Sequence, residues 1–150
     1  MMMRYGQSPT DCFDKITRTG DTYAVYMKDG ESVQITRAEI KLTADAAKFA
    51  GDDIGMIKDA NFMLTAYVKR VQETHEDPVI RSSFEAALRS VITKEGHEKR
   101  ILEDLGMAPF MIHASAHEMS ESKAPCYMYG YGLVLDKEAL PYDGYGYILS

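Results

Sequence analysis

Two histidines and a glutamate are the residues best spaced for chemistry in this sequence. His113 and His117 are four residues apart, and Glu118 follows the second histidine. On a helix, this spacing places both imidazoles on one face at a distance that suits a transition metal. On a strand the imidazoles also share a face, but about 13 Å separates them. Residues 111–119 have the composition of a strand, so a metal site at His113 and His117 needs a bend or another ligand, such as Cys126 or Glu118. The simpler interpretation is a pair of solvated or hydrogen-bonded sheet histidines.

A second candidate for catalysis is Glu95-Gly96-His97, which interrupts an apolar helical pattern. Its glutamate and histidine would act as a proton-transfer pair beside a kink. We favour the alternative, a helix that bends at the glycine with its polar residues in solvent. The sequence also contains no Glu-x-x-His pair, no Gly-x-Ser-x-Gly elbow and no phosphate-binding Gly-x-x-x-x-Gly-Lys loop. An enzyme is therefore not the favoured interpretation.

Alternating tyrosines and glycines occupy residues 127–132 and 145–147. A phosphate cradle is excluded there, because no helix cap or lysine follows the glycines. As strands, the two segments place their tyrosines on one sheet face. The residues of this face are Tyr127, Tyr129, Tyr131, Tyr145 and Tyr147. The face has three interpretations, namely core beneath helices, a protein interface, or a stacking platform for a base or sugar.

Length and composition limit the classes of function. The chain has 150 residues, of which 45% are hydrophobic, and a net charge of −6, which is typical of one globular domain spanning residues 1–150. No segment is rich in Lys and Arg, so direct nucleic-acid binding is disfavoured. No run is long enough for a signal peptide or a membrane span. Cys12 and Cys126 lie far apart, which favours a cytoplasmic chain with two reduced thiols.

The first half of the chain predicts a hairpin followed by two helices. Thr22–Met27 and Ser32–Ile35 alternate around Asp-Gly, the sequence of a tight hairpin turn, and Phe13–Thr17 is a further short strand. Thr36 and Glu39 form a capping box that opens a helix from about residue 37 to Ala50. A second helix is predicted over 53–75, with an apolar stripe that is broken only at Asn61.

The second half begins with a third helix and ends in strands. Asp77-Pro78 opens the helix, Gly96 interrupts it and Gly106 ends it. The short link before it makes the second and third helices antiparallel neighbours. Strands are predicted at 111–119, 126–135 and 145–149. The predicted fold is therefore α+β, with an antiparallel sheet built from the N-terminal hairpin and a C-terminal meander. About three helices, including the helical hairpin, cover one face of it.

These patterns lead to one functional hypothesis and one alternative. The hypothesis is a non-enzymatic protein-binding or regulatory protein of the inhibitor or adaptor type, with another protein as its partner. It would form a homo-oligomer through its tyrosine-rich sheet, without a cofactor, nucleic acid or membrane as partner. The alternative is a small metal-dependent enzyme or ligand-binding protein centred on His113, His117 and Glu118, with a transition metal as its cofactor.

Overall fold

The fold combines two three-stranded antiparallel sheets with a set of helices. A computed structural model describes residues 8–93, 98–115, 118, 121, 126–128 and 145–149, the last two ranges by their backbone. The strands are β1 (Phe13–Thr19), β2 (Thr22–Met27), β3 (Ser32–Thr36), β4 (Met111–Ser115), β5 (Cys126–Met128) and β6 (Tyr145–Leu149). The helices are α1 (Arg37–Ala47), α2 (Ile54–Thr74), α3 (Pro78–Arg81), α4 (Phe84–Thr93) and α5 (Glu98–Asp104). The predicted α+β class is confirmed.

The first sheet is a meander in the order β1-β2-β3. The predicted hairpin is confirmed: Gly30 takes a φ of +90°, and its amide donates to the Met27 carbonyl at 3.1 Å. Asp29 supports the same turn by accepting from the Glu31 amide at 3.1 Å. The strand predicted at residues 13–17 is also present, extended to Thr19 as β1.

The cap of α1 is the predicted one. The Glu39 amide donates to Thr36 Oγ1 at 3.2 Å, and the Thr36 amide donates to Glu39 Oε1 at 2.9 Å. The helix ends at Ala47 rather than the predicted Ala50, because Lys48 adopts a left-handed φ of 51° and closes the last turn onto the Ala44 carbonyl. The long second helix agrees with its prediction, with Asp53 as its N-cap and His75 as its C-cap.

The predicted third helix is interrupted between α3 and α4, and α4 and α5 lie on either side of residues 94–97, which the structure does not describe. Asp77 caps α3 as predicted, but α3 ends at Arg81. The cause is local: the Ser82 hydroxyl bonds back to the Val79 carbonyl, and Ser83 Oγ accepts from the Ala86 amide at the start of α4. The break predicted at Gly96 lies outside the described residues.

The core lies on one face of the first sheet. In β3, buried Val33 and Ile35 alternate with more exposed neighbours, as expected for a sheet with one solvated face. Other segments complete the core, among them β2, the middle of α2, α3, α4 and the residues that follow α5. Their buried members include Val25, Met27, Ala66, Val68, Leu105 and Met107. Helical cover on one face of this sheet was predicted and is confirmed.

The C-terminal strands form a sheet of their own, in the order β4-β6-β5, whereas the sequence predicted one shared sheet. Between α5 and β4, Gly106 has a φ of +82° and lies against the end of β2. A Cβ built there would lie 2.6 Å from Met27 Cβ and 3.3 Å from the Lys28 nitrogen. The backbone at Gly106 is therefore packed closely against the end of the hairpin.

A buried ion pair holds the same junction. Arg70 on α2 lies 2.7 Å from the carboxylate of Asp29 in the hairpin turn, and both side chains are about 15% exposed or less. The guanidinium also contacts Met27 Sδ at 3.1 Å. Lys69 pairs with Glu39 at 2.6 Å, so adjacent residues of α2 hold the hairpin turn and the start of α1.

In the described part of the chain, no helix is long and apolar enough to cross a membrane.

We predict that Gly106→Ala destabilises the protein more than Gly30→Ala. Both glycines have a positive φ, which costs an alanine about 1–2 kcal/mol. A Cβ at Gly30 meets nothing within 4 Å, whereas one at Gly106 overlaps Met27 and should cost about 1–3 kcal/mol more. Urea unfolding of both variants measures the difference. Equal losses would show that the junction is not closely packed.

We also predict a pH-dependent effect of Asp104→Asn. Burial raises the pKa of Asp104 above its ordinary value, while Arg100 partly offsets that rise. The folded state thus holds the proton more tightly, and the wild type loses stability as pH rises from the ordinary aspartate pKa, about 3.9, through the raised one. The asparagine variant lacks this loss, so its stability relative to wild type should grow over that pH range in urea unfolding. The variant Asp14→Asn, at an exposed position, is the control for the change in net charge. If its stability relative to wild type grows in the same way over this pH range, the effect at Asp104 does not come from burial.

Candidate functional site

Part of the two segments on which the tyrosine face was predicted lies in strands of the second sheet, described by their backbone. Tyr127 in β5 pairs directly with Tyr147 in β6, and Tyr147 pairs with His113 in β4. Tyr145 also lies in β6, opposite Ser115. Tyr129 and Tyr131 lie outside the described residues. The backbone pairing between the two tyrosine segments is therefore present at Tyr127 and Tyr147, and the shared face of the tyrosines stays a prediction.

The histidine site is described in part. His113 is exposed in β4, in agreement with the predicted strand. Glu118 is engaged in a local cap, since its carboxylate accepts from the Ser115 amide at 2.8 Å while its own amide donates to Ser115 Oγ at 3.2 Å. His117 lies outside the described residues, so the metal site stays a prediction. Within the residues that are described, no three His, Cys, Asp or Glu side chains form a metal-binding group.

Cys12 is a core residue and not a reactive thiol. It is 1% exposed, and its sulfur donates to the Pro9 carbonyl at 3.1 Å. Burial raises the pKa of its thiol to about 12, so the thiolate is scarce near neutral pH. Cys126, proposed above as a further metal ligand, lies in β5 opposite Ile148.

A groove between the first sheet and the helices has a lining that is rich in cations. It has a volume of about 740 Å³ and lies among the turn end of β1 and β2, the first turns of α1 and the first half of α2. We call it the basic groove. Its lining is Arg18, Asp21, Tyr23, Arg37, Ala38, Ile40, Lys41, Ala44, Lys58, Asp59, Asn61 and Phe62.

Positive charge predominates in the basic groove, with four cations against two carboxylates. Among the described residues, none of the four cations forms an ion pair with a carboxylate. Of the carboxylates, Asp59 already accepts from the Ser8 hydroxyl at 2.5 Å. The side chains of the cations are exposed and therefore accessible to a ligand. The groove is thus locally positive on a chain whose net charge is −6.

Helix electrostatics do not account for the cations of α1. Arg37 is the first residue of that helix, where a positive charge opposes the helix dipole. Lys41 lies one turn later on the same face, and two like charges at this spacing repel by about 0.2–0.5 kcal/mol. Both placements are unfavourable for the isolated helix. An anion in the groove would turn both into favourable interactions.

The other wall of the basic groove is formed by two aromatic rings and by the side-chain amide of Asn61. Tyr23 and Phe62 make an edge-to-face contact with ring centroids 5.4 Å apart, and Arg18 lies over the Tyr23 ring at 5.5 Å. Asn61, the residue that breaks the apolar stripe of α2, is 8% exposed. Its Oδ1 is buried without a hydrogen-bond partner in the described structure.

Sequence reasoning did not identify this groove. Its cations come from three elements, namely Arg18 from β1, Arg37 and Lys41 from α1, and Lys58 from α2, so no segment of the sequence is basic. Two signals were present in the sequence. One is the unpaired Arg37–Lys41 spacing directly after a capping box, and the other is the polar Asn61 in an apolar stripe.

Comparison of the chain with protein-family models, with curated proteins and with solved structures finds no match.

Proposed function

We propose that the protein is a non-enzymatic binding protein that takes a small anionic ligand in the basic groove. The observation that carries this proposal is the convergence of Arg18, Arg37, Lys41 and Lys58 without ion-pair partners among the described residues. Guanidinium groups bind phosphate and carboxylate through two parallel hydrogen bonds, and ammonium groups bind phosphate as point charges.

The energetics of such a site favour a ligand with several anionic oxygens. A hydrogen bond to a charged group contributes about 1.5–3 kcal/mol, but an exposed ion pair contributes only about 0–1 kcal/mol. Exposed cations such as Arg37 and Lys41 therefore need several contacts at once to give micromolar affinity, about −8 kcal/mol. A phosphate group provides these contacts better than a single halide or a monocarboxylate.

We predict that the double variant Arg37→Gln/Lys41→Gln binds pyrophosphate at least about tenfold more weakly than wild type, because about 1.4 kcal/mol of charge-assisted contact is lost. Isothermal titration calorimetry at low salt measures the affinity, which should fall further as salt is added. The matched control is Lys15→Gln/Arg89→Gln, which removes the same charge from exposed positions outside the groove lining.

The control separates site binding from general attraction. Wild-type affinity in the control, with loss in the groove variant, supports the proposal. Equal losses of affinity in both variants would show that pyrophosphate is attracted by the overall charge and is not bound at the groove. Absence of pyrophosphate and phosphate binding to the wild type would contradict it.

A second candidate function is the protein-binding one predicted from sequence, a cytoplasmic inhibitor or adaptor that self-associates through its tyrosine-rich sheet. The observation that favours it is the direct pairing of Tyr127 with Tyr147, next to exposed His113. Tyrosine is enriched in protein interfaces because its ring is apolar and its hydroxyl is polar.

We predict that the wild type is a dimer by native mass spectrometry and that Tyr127→Ser/Tyr147→Ser weakens the dimer by at least about tenfold, as expected when central interface aromatics are truncated. The control is Tyr26→Ser, which removes a tyrosine that is 43% exposed on the first sheet. A monomeric wild type at every accessible concentration would exclude self-association. A dimer unaffected by the double substitution would place the interface elsewhere.

A further inference from the structure

Helix α1 has apolar residues on its outward side as well as on its buried side. Thr43 is fully buried and Ile40 packs against the core, so these two residues mark the side that faces the rest of the fold. A surface helix usually carries polar residues on the opposite side. In α1, however, Ala38, Leu42 and Ala46 are exposed at a spacing of four residues, which places them along one side of the helix. We call these three residues the outer strip.

Large apolar side chains extend this exposed surface beyond the outer strip. Leu42 itself is 38% exposed, and Phe49, just after α1, is 44% exposed. Ile54, the first residue of α2, is 74% exposed. Single exposed apolar residues are normal on a protein surface, but a cluster of them indicates a contact site. These three side chains belong to one helix and the connection that follows it, so they indicate such a site beside α1.

Two opposite charges flank the outer strip. Lys41 and Asp45 are one helical turn apart, and both are exposed. Neither forms an ion pair with a described residue, including the other member of the pair. In two antiparallel copies of a helix, the residue order of one copy is reversed relative to the other. A second copy of α1 in this arrangement therefore places its Asp45 beside Lys41 of the first, and its Lys41 beside Asp45 of the first.

The same register places large side chains opposite small ones. With Lys41 beside Asp45 of the second copy, Leu42 lies beside Ala46 of the second copy, and Ala46 lies beside its Leu42. Alternation of large and small residues across a helix pair lets the two surfaces interdigitate. One register therefore accommodates both the charges and the shapes of the outer strip, and it is the same from either copy, as a two-fold axis requires.

The ends of the two helices are compatible with this register. Small Ala38 lies beside the segment that follows α1 in the second copy, which carries the exposed ring of Phe49. Arg37 and Lys48 come from opposite ends of α1 and lie at the rim of the contact, where solvent screens the repulsion between them. The favourable contacts are thus central and the unfavourable ones peripheral.

We propose that the protein forms a two-fold symmetric dimer in which the outer strips of two copies of α1 pack antiparallel. The centre of the interface is Leu42 against Ala46 of the second copy, with a Lys41–Asp45 pair on either side of the two-fold axis. This surface differs from the tyrosine-rich sheet, and the inference does not rest on anion binding. Lys41 also lines the basic groove, so the variants below are chosen to separate its two roles.

Sedimentation velocity over a concentration series measures the dimer. We expect Leu42→Glu to weaken it at least about tenfold, because the substitution buries two unpaired carboxylates at the centre of the contact. The matched control is Val79→Glu, which adds the same charge at an apolar residue of α3 that is 69% exposed. The control should leave the dimer unchanged, and urea unfolding checks that both variants are folded.

Charge reversal tests the register without removing apolar surface. Lys41→Asp and Asp45→Lys should each weaken the dimer about tenfold, because each creates two contacts between like charges. The two substitutions change the net charge in opposite directions, so a loss shared by both does not come from net charge. The exchange Lys41→Asp/Asp45→Lys restores opposite charges at both contacts and should return the dimer affinity close to that of wild type.

The exchange also separates the dimer from the anion site. It restores the dimer contacts but leaves the basic groove without the Lys41 cation, so pyrophosphate affinity should stay low if the proposed function holds. A restored dimer with wild-type pyrophosphate affinity would support the dimer and count against the anion site alone.

Three outcomes would overturn the dimer proposal. One is a wild type that stays monomeric throughout the concentration series. Another is a dimer that Leu42→Glu leaves intact, since its interface would lie elsewhere, for example at the tyrosine-rich sheet. The third is a charge exchange that does not restore the affinity lost in the single variants, since the helices would then not pack in this register.

Discussion

The ion pair between Arg70 and Asp29 is the interaction on which the arrangement of sheet and helices depends. It connects the C-terminal part of α2 to the turn of the β2–β3 hairpin, with both side chains about 15% exposed or less. Removing one partner of such a pair leaves an uncompensated buried charge, which costs several kcal/mol, whereas the intact pair adds little net stability. The pair therefore acts mainly by fixing the position of α2 relative to the hairpin turn. Gly106 then brings the chain after α5 against the same turn, because any side chain there would overlap Met27.

This junction also fixes the location of the basic groove. With α2 held at the hairpin turn by Arg70, its first half extends toward the opposite end of the sheet, where Lys58 and Phe62 line the groove. The β1–β2 turn provides Asp21, whose carbonyl accepts from the Arg37 amide at 2.8 Å and so fixes the start of α1. The cations converge because three rigid elements meet there, and each cation needs only its own element to be in place.

The local structure was largely predictable from sequence, but the tertiary placement was not. The Asp29-Gly30 turn and the Thr36 capping box depend on a few adjacent residues, and both were predicted at the correct positions. The break at Ser82 was missed because serine also occurs inside helices, so its presence in the sequence does not show that its hydroxyl bonds to the backbone and ends the helix. The separation of the two sheets depends on which strands pair, a long-range choice that no periodicity reveals.

At the candidate site, too, local features were predictable from sequence and the tertiary placement was not. Asn61 was noticeable in the sequence as a break in an apolar stripe, but its position beside the cations follows only from the packing of α2 on the sheet. The tyrosine pairing was predictable because alternation in strands is a local signal, and Tyr127 does pair with Tyr147. A groove assembled from β1, α1 and α2 has no local signal at all.

The exposure of the groove cations separates the chemistry of the site from the stability of the fold. Arg18, Arg37, Lys41 and Lys58 contribute no buried contact to the core, and substitutions at such surface positions usually change stability by only about 0.5 kcal/mol. The charge pattern of the groove can therefore change while the packing is unchanged, and under the proposed function such a change would alter the ligand. Relatives that diverge in what they bind should differ first at these four positions and last at the Gly106 junction.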